Sequence, residues 1–175
     1  TRNLRTAIEA VQKAGKHAQG TLCYTTSPVH TLESFVALGK ELETMGCDSI
    51  CIKDMAGLIS PSKAADLVKA LKQSVGLPLV LHSHSTAGMA AASYYAAIEA
   101  GVDRVDTSIA PFANGTGQPD TLLMQSMLET SSRKPSYDTE ALAQLGKHFT
   151  QVYEELSAYT NPKNEAVDAD ILVYH

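Results

Sequence analysis

The sequence predicts an α/β fold built on a parallel sheet, because amphipathic helices alternate with short apolar strands over its first two-thirds. The predicted strands start about 25 to 30 residues apart, which is the size of a βαβ unit. A glycine follows each predicted helix, where it adopts the left-handed conformation without steric cost. These glycines are Gly15, Gly46, Gly76 and Gly101.

Four strands are predicted, over residues 18–24, 48–53, 79–84 and 104–109. The second and third are almost continuously apolar, as expected for strands that helices cover on both faces of a sheet. An open doubly wound sheet and a (β/α)₈ barrel both fit this order of elements. No glycine-rich phosphate fingerprint follows the first strand, which argues against a nucleotide-binding open sheet.

The helices between the strands carry their own signals. Thr31 is the predicted N-cap of a helix with an apolar face, and Ser60-Pro61 places an N-cap before a proline at the first helical position. An alanine-rich helix is predicted over 87–100. A long helix predicted over 138–159 ends the alternation, so we divide the chain into an α/β part, 1–135, and the start of a helical extension, 136–175.

Composition excludes several classes of protein. The chain has 175 residues, of which 44% are hydrophobic and 19% charged, and this excludes a disordered chain. A net charge of −5 without a basic cluster argues against nucleic acid or an anionic membrane as partner. Three cysteines in or beside apolar runs predict a cytoplasmic protein. The chain starts at Thr1 within a helical pattern and stops at His175, so we expect a longer protein around it.

Unusual polar residues follow the predicted strands at their carboxyl ends. They are Lys53-Asp54, His82-Ser83-His84 and Asp106-Thr107-Ser108. In barrels and open α/β sheets this edge is where active sites are built.

His82 and His84 are the strongest candidates for metal ligands. Residues two apart on a strand project to the same face, with attachment points roughly 7 Å apart. Zinc, cobalt and manganese accept neutral imidazole, so both rings are able to bind one ion. The alternative is that one histidine packs or caps a loop while the other is exposed.

Lys53 ends a buried strand, where an ammonium group must be paired or lose its charge. Three roles are open: an ion pair with Asp54 or Asp106, a Schiff base, or carbamylation by carbon dioxide to give an anionic metal ligand. The residues alone do not choose between them.

Three further candidates are weaker. Cys51 shares the face of Lys53, but a free cysteine in an apolar strand is more often core than nucleophile. The segment 24–28 lines a pocket or serves as turn and N-cap. The segment 114–119 forms a loop at the same edge that closes over substrate, and its glycines are a weak phosphate signal.

Three segments together resemble the carboxyltransferase domain of biotin-dependent enzymes. They are C-I-K-D-M-A-G-L at 51–58, H-S-H-S-T-A-G at 82–88 and G-V-D-R-V-D-T at 101–107. The family comprises pyruvate carboxylase, the oxaloacetate decarboxylase alpha subunit and the transcarboxylase core subunit, and is related to the hydroxymethylglutaryl-CoA lyase superfamily. The resemblance implies a (β/α)₈ TIM barrel, with residues 1–135 forming its last four β/α units and hence an incomplete barrel.

The resemblance also implies a site. Lys53 would be carbamylated, would be catalytic, and would bind a divalent metal (Zn, Co or Mn) together with His82 and His84. The family's aspartate ligand and the arginine and glutamine that contact the keto acid have no counterpart in this chain. A proton-shuttling threonine follows the barrel in the family, and the resemblance does not assign it to Thr160.

The implied function is metal-assisted carboxyl transfer between oxaloacetate or pyruvate and carboxybiotin. The segment 23–31 favours an oxaloacetate decarboxylase of alpha type, whereas 115–119 is nearer the carboxylase loop. The alternatives are pyruvate carboxylase, transcarboxylase, an acyl-CoA lyase and a structural module with a vestigial site. Lys53 argues against the acyl-CoA lyase. The implied partners are a biotin carrier domain, further copies of the chain and, for a decarboxylase, membrane-bound subunits. We expect residues 1–175 alone to be inactive.

Overall fold

A computed structural model of the chain describes residues 2–161 and 166–173, with the side chain of Arg2 left out. The predicted extension, 136–175, is therefore described only in part, and the chain end at His175 lies outside the described residues. Among these residues the strands are β1 (Gln19–Cys23), β2 (Ser49–Asp54), β3 (Leu79–Ser83) and β4 (Arg104–Val105). The α-helices are α1 (Arg2–Lys13), α2 (Leu32–Thr44), α3 (Pro61–Ser74), α4 (Ala90–Glu99), α5 (Thr121–Met127) and α6 (Thr139–Glu155).

The four strands form one parallel sheet in the order β1-β2-β3-β4. Each strand pairs with the next along the chain, and a helix connects each pair, as the alternating pattern predicted. The register sets Cys23 opposite Lys53 and Lys53 opposite His82. The carboxyl ends of the strands therefore lie in one row.

The hydrophobic core lies between the sheet and its helices. Ile50, Ile52, Leu79 and Leu81 are fully buried and belong to one cluster with the apolar faces of α2 and α3. The alternate residues of these strands, such as Cys51, point to the other face and lie outside that cluster. Residues at odd positions of β2 and even positions of β3 are thus free to build a site.

Close packing of α2 on α3 depends on Gly39. A Cβ atom at this position would lie 2.8 Å from Cδ2 of Leu71, which is fully buried. The missing side chain lets the two helices approach, and burial of a leucine such as Leu71 contributes roughly 1.5–3 kcal/mol.

The predicted helix starts of α2 and α3 are confirmed. The hydroxyl of Thr31 accepts a hydrogen bond from the N–H of Ser34, and that of Ser60 accepts one from Lys63. These side chains satisfy backbone donors that a helix start leaves without partners.

Gly76 was wrongly predicted to be a left-handed helix stop. Gly15, Gly46 and Gly101 have positive φ values, but α3 ends through Val75 in extended conformation, with φ −130° and ψ 148°. The valine side chain is buried at that point, so the chain leaves the helix directly into the next strand.

The fourth strand is shorter than the predicted range 104–109. Asp106 still donates its N–H to Leu81, at 3.1 Å, but the N–H of Ser108 donates to Pro119 at 3.0 Å instead of to β3. The chain therefore leaves the sheet to pair with its own loop. The prediction also missed α5, whose N-cap is Asp120.

Two predicted helices are also shorter than expected. Residues 85–89 form a turn before α4, in which Gly88 donates its N–H to Ser85 and has φ +78°. The long helix predicted over 138–159 ends at Glu155 and is followed by a 3-10 turn, Ser157–Tyr159. Over the described residues, no helix combines the length and apolar character needed to cross a membrane.

Candidate metal centre

Lys53, His82 and Asp106 come together at the carboxyl edge of the sheet, on the face away from the core. Lys53 and His82 are register partners, and Asp106 continues the row because its N–H bonds to the carbonyl of Leu81. His84 follows β3, and its N–H donates to the carbonyl of Asp54 at 3.0 Å. The predicted convergence of these residues at one edge of the sheet is present in the structure.

Asp106 orients the ring of His82. The Nδ1–H of His82 donates to Oδ2 of Asp106 at 2.9 Å. A carboxylate at Nδ1 fixes the proton there and leaves Nε2 as a free lone pair, which is the arrangement of metal-binding histidines.

A backbone carbonyl orients the ring of His84 and favours the same tautomer as in His82. Its Nδ1–H donates to the carbonyl oxygen of Thr116. Nε2 of His84 is then also an acceptor, and it lies 3.3 Å from Nε2 of His82. Two lone pairs therefore face a common point, and we call His82 and His84 the imidazole pair.

The separation within the imidazole pair fits a single bound ion. Two nitrogen ligands at 2.0–2.1 Å from a tetrahedral zinc ion are about 3.3–3.4 Å apart. The observed 3.3 Å matches that ligand spacing. Residues 2–161 and 166–173 contain no group of three or more His, Cys, Asp and Glu side chains suited to a metal ion.

Lys53 is half-buried beside the imidazole pair and makes no ion pair within the described part of the chain. Asp54, one of the two partners considered from the sequence, is fully buried on the opposite face of β2. Asp106, the other, is bound to His82. Lys53 thus makes neither of these two ion pairs among the described residues, and its roles as a Schiff base or a carbamate stay predictions.

Asp54 has a structural role instead. Its carboxylate accepts hydrogen bonds from the backbone N–H groups of Leu58 and Ile59, both at 2.9 Å. It also accepts one from the hydroxyl of Ser83 at 2.8 Å. These bonds shape the loop after β2 and hold it to β3, which keeps Lys53 and His82 in register.

Two residues of the loop at 114–119, which the sequence analysis placed at this edge, also reach the site, although neither was named there as a site residue. Gln118 lies with Nε2 3.2 Å from Nε2 of His82 and 3.5 Å from Nε2 of His84. Its Oε1 accepts from the hydroxyl of Ser108 at 3.1 Å. Thr116 contributes only its backbone carbonyl, which no residue type signals. The position of both residues in a glycine-containing loop at the catalytic edge was the available signal.

The remaining sequence candidates lie outside this centre. Cys51 is a buried thiol whose pKa burial raises to about 11, so it stays neutral near pH 7. The segment 24–27, together with residues of α2 and α3, lines a cavity of about 390 Å³. Lining a pocket was one of the two roles predicted for the segment 24–28. The residues that line this cavity do not include Lys53 or the imidazole pair.

The chain is similar in sequence to known proteins. The model of the HMGL-like family matches residues 1–148. The chain is 46% identical over 173 residues to a pyruvate carboxylase subunit of Methanocaldococcus jannaschii, covering 99% of this chain and 30% of that protein. It is also 46% identical over 153 residues to the methylmalonyl-CoA carboxyltransferase 5S subunit of Propionibacterium freudenreichii, covering 86% of this chain and 30% of that protein.

The chain is also similar to solved structures. The carboxyl transferase domain of Rhizobium etli pyruvate carboxylase with 3-hydroxypyruvate superposes with a TM-score of 0.94 at 31% identity, covering 98% of this chain and 30% of that chain. The chain thus spans about a third of the length of these relatives. The predicted barrel superfamily and the resemblance to carboxyltransferase domains are confirmed. The chain belongs to the HMGL-like family.

Proposed function

We propose that the protein containing this chain is a metal-assisted, biotin-dependent carboxyltransferase that acts on pyruvate and oxaloacetate. The observation that carries the proposal is the imidazole pair, with its two Nε2 atoms 3.3 Å apart and Lys53 in register beside it. The relatives from Methanocaldococcus jannaschii and Propionibacterium freudenreichii, a pyruvate carboxylase and a carboxyltransferase by name, support the reaction class.

The oxaloacetate decarboxylase assignment that the sequence favoured is less well supported than its alternative. The two relatives at 46% identity are a pyruvate carboxylase and a transcarboxylase. We therefore propose a carboxylase or transcarboxylase reaction. The membrane-bound partners belonged to the decarboxylase assignment and are not proposed again. A biotin carrier domain and further copies of the chain remain proposed partners, and a cytoplasmic location remains a prediction.

Three side chains of this chain would hold the metal: His82, His84 and carbamylated Lys53. To form the carbamate, the neutral amine of Lys53 adds to carbon dioxide, an N–C bond forms, and the nitrogen releases one proton. This exchanges a cation for an anionic oxygen donor, which is what the imidazole pair lacks among the described acidic and cysteine side chains. When bound, the ion would supply Lewis acidity for the keto group and for the charge of the enolate.

The other residues of the site act by orientation. Asp106 keeps the proton of His82 on Nδ1, and the carbonyl of Thr116 does the same for His84. Each contact favours the tautomer that carries its hydrogen on Nδ1, so that Nε2 of the neutral ring is the atom available to a metal ion. Asp54 sets the loop after β2, so that Lys53 stays beside His82. These contacts preorganise the sheet edge for a cation.

The test compares the full-length wild-type protein with Lys53→Ala and His82→Ala. His148→Ala is the matched control, because His148 is an exposed histidine of α6. We expect both site variants to lose bound divalent metal and biotin-dependent carboxyl transfer to pyruvate, while the control keeps both. Retention of metal and transfer in both site variants would contradict the proposal.

The carbamate has its own test. Exhaustive dialysis against buffer free of carbon dioxide is expected to lower the metal content of the wild type, and added bicarbonate to restore it. A mass increment on the peptide that carries Lys53 identifies the group. Metal content that does not respond to carbon dioxide would rule out the carbamate and leave the imidazole pair with another ligand.

A further inference from the structure

The loop between β4 and α5 holds His84 in two ways. The Nδ1–H of its ring donates to the carbonyl of Thr116. The N–H of Ser85, the next residue in the chain, donates to the carbonyl of Gly117 at 2.8 Å. The ring and the backbone at the end of β3 are therefore both bonded to this loop. We call residues 108–119 the site loop.

The site loop is tied together by its own backbone. The N–H of Asn114 donates to the carbonyl of Gln118 at 2.8 Å, and the N–H of Gly117 donates to the carbonyl of Asn114 at 2.7 Å. The backbone of Gly117 also lies against the carbonyl of Phe112, with no room for a Cβ atom between them. A displacement of Phe112 would therefore shift the segment that bonds to His84.

The site loop contacts α6 through the side chain of Phe112. This ring packs edge to face against Phe149, with centroids 6.0 Å apart, and against Tyr153, with centroids 5.6 Å apart. Such pairs have a preferred geometry and stabilise a structure beyond the burial of their area. The ring of Phe112 is thus held between two rings of the helical extension.

The contacts with the site loop lie on one face of α6. The residues of this face recur at intervals of four, three and four, which is the spacing of one side of a helix, and they are Leu142, Gly146, Phe149 and Tyr153. A Cβ atom at Gly146 would lie 3.8 Å from the carbonyl oxygen of Ala110. No residue of α6 is buried, and Leu145, on another face, is 43% exposed. The helix therefore rests against the site loop by this face.

We propose that Phe112 is a positioning residue through which α6 fixes the site loop and, with it, His84. While the ring is held, the carbonyls of Thr116 and Gly117 stay at the end of β3. Nε2 of His84 then stays beside Nε2 of His82. The effect on cation binding rests on the proposed metal centre, and the test separates the two.

The experiment measures amide hydrogen exchange by mass spectrometry in the full-length protein. The variants are Phe112→Ala and Phe149→Ala, each of which removes one side of the aromatic contact. The matched control is Leu145→Ala, because Leu145 and Phe112 are both 43% exposed but Leu145 lies on another face of α6. Phe112→Tyr is the conservative variant, since it keeps the ring.

We expect both alanine variants to exchange faster at three amides that the site loop protects, those of Asn114, Gly117 and Ser85. The amides of β2 should keep their wild-type rates, and Leu145→Ala and Phe112→Tyr should exchange like the wild type throughout. Unchanged exchange in the site loop would overturn the proposal. An increase that extends to β2 would also overturn it, because the aromatic contact would then contribute general stability and not position.

Calorimetric titration of the same proteins with Zn²⁺ measures the consequence for the metal centre. We expect each alanine variant to bind about threefold to tenfold more weakly, which is the contribution of one aromatic pair expressed as an affinity. Phe112→Tyr and Leu145→Ala should bind like the wild type.

His82→Ala, measured beside them, separates the positioning role from the metal centre. If His82→Ala binds Zn²⁺ like the wild type, the metal centre is overturned, while the exchange rates still decide whether Phe112 holds the site loop. If His82→Ala loses binding but both alanine variants bind like the wild type, the positioning of His84 by Phe112 is overturned and the metal centre stands.

Discussion

Ser83 donates its hydroxyl hydrogen to Asp54 at 2.8 Å, and this bond joins the carboxyl ends of β2 and β3 on the face opposite Lys53 and His82. Both side chains are fully buried. The row that contains Lys53 and His82 is thus held in register by two residues on the opposite face of the sheet, outside the candidate metal centre.

Replacing Asp54 with alanine should therefore destabilise the chain. The change leaves the buried N–H groups of Leu58 and Ile59 without an acceptor, and it leaves the hydroxyl of Ser83 with only its longer bond to the carbonyl of His84, at 3.4 Å. We expect a loss of roughly 3–5 kcal/mol in the free energy of unfolding. Urea unfolding measures it, together with faster hydrogen exchange of the amides at 58 and 59.

Two further variants test the origin of that loss. Asp66→Ala, at an exposed position of α3, should change stability by less than about 0.5 kcal/mol. The double variant Asp54→Ala/Ser83→Ala should cost less than the sum of the single changes, because both remove the same bond. Strict additivity would mean that the bond between Ser83 and Asp54 contributes nothing.

Tyr94 offers a second test of how the end of β3 is held. Its hydroxyl accepts the N–H of Ser83 at 2.9 Å in a fully buried position, and burial raises its pKa. Tyr94→Phe removes the acceptor and should cost about 1–3 kcal/mol. The neighbouring Tyr95 is 38% exposed, so Tyr95→Phe is the matched control. Equal urea midpoints for the two variants would show that the bond to Ser83 is not stabilising.

The convergence of the candidate ligands could be predicted from the sequence, because it follows from strand alternation and parallel pairing. Strand alternation puts His82 and His84 on one face, and parallel pairing brings Lys53 to the same edge. Gln118 and Thr116 could not be predicted, because their positions depend on where a loop folds back. Thr116 acts through a backbone carbonyl, which no residue type signals. The loop that carries both residues folds back because Ser108 bonds to Pro119 and not to β3.

Asp106→Ala is expected to weaken metal binding without removing a ligand. The variant loses the carboxylate that holds the Nδ1 proton of His82, so the ring is able to adopt the wrong tautomer or rotate. Loss of a hydrogen-bond partner of a metal-binding histidine typically lowers metal affinity about 10- to 100-fold. We therefore expect Asp106→Ala to bind Zn²⁺ about 10-fold more weakly or worse. Zn²⁺ titration measures the effect. Asp106→Asn, whose amide oxygen still accepts the Nδ1–H, should recover most of the affinity.

An unchanged Zn²⁺ affinity in Asp106→Ala would contradict the orienting role. Asp66→Ala serves again as the control for loss of one negative charge, since an exposed carboxylate on α3 makes no contact with the imidazole pair. If that control weakens binding as much as Asp106→Ala does, the effect of Asp106 is general electrostatics and not orientation.

Gly117 determines the shape of the loop that reaches the imidazole pair. A Cβ atom here would overlap the carbonyl oxygen of Phe112 and lie 3.1 Å from that of Asn114. Gly117→Ala must therefore open the turn and displace the carbonyl of Thr116 and the side chain of Gln118. We expect weaker Zn²⁺ binding together with a lower urea midpoint, because the clash is with a backbone oxygen. Gly146→Ala in α6, where the nearest atom is 3.8 Å away, should leave binding unchanged.

Asp103 gives the fold a predictable response to acid. Partial burial alone would raise its pKa, but the hydrogen bond from the N–H of Leu79 and the contacts with Lys72 and Arg133 hold it below the ordinary 3.8. A lowered folded-state pKa means that the carboxylate stabilises the fold above the unfolded value and loses that contribution as the pH falls through the folded value. The wild type should thus be more stable than Asp103→Asn at pH 7, by at most about 1 kcal/mol for so exposed an ion pair.

Urea unfolding of both proteins at pH 7 and at pH 3 tests this direction. The difference in stability between the two proteins should shrink on acidification. A difference that grows below pH 4 would contradict the lowered pKa of Asp103.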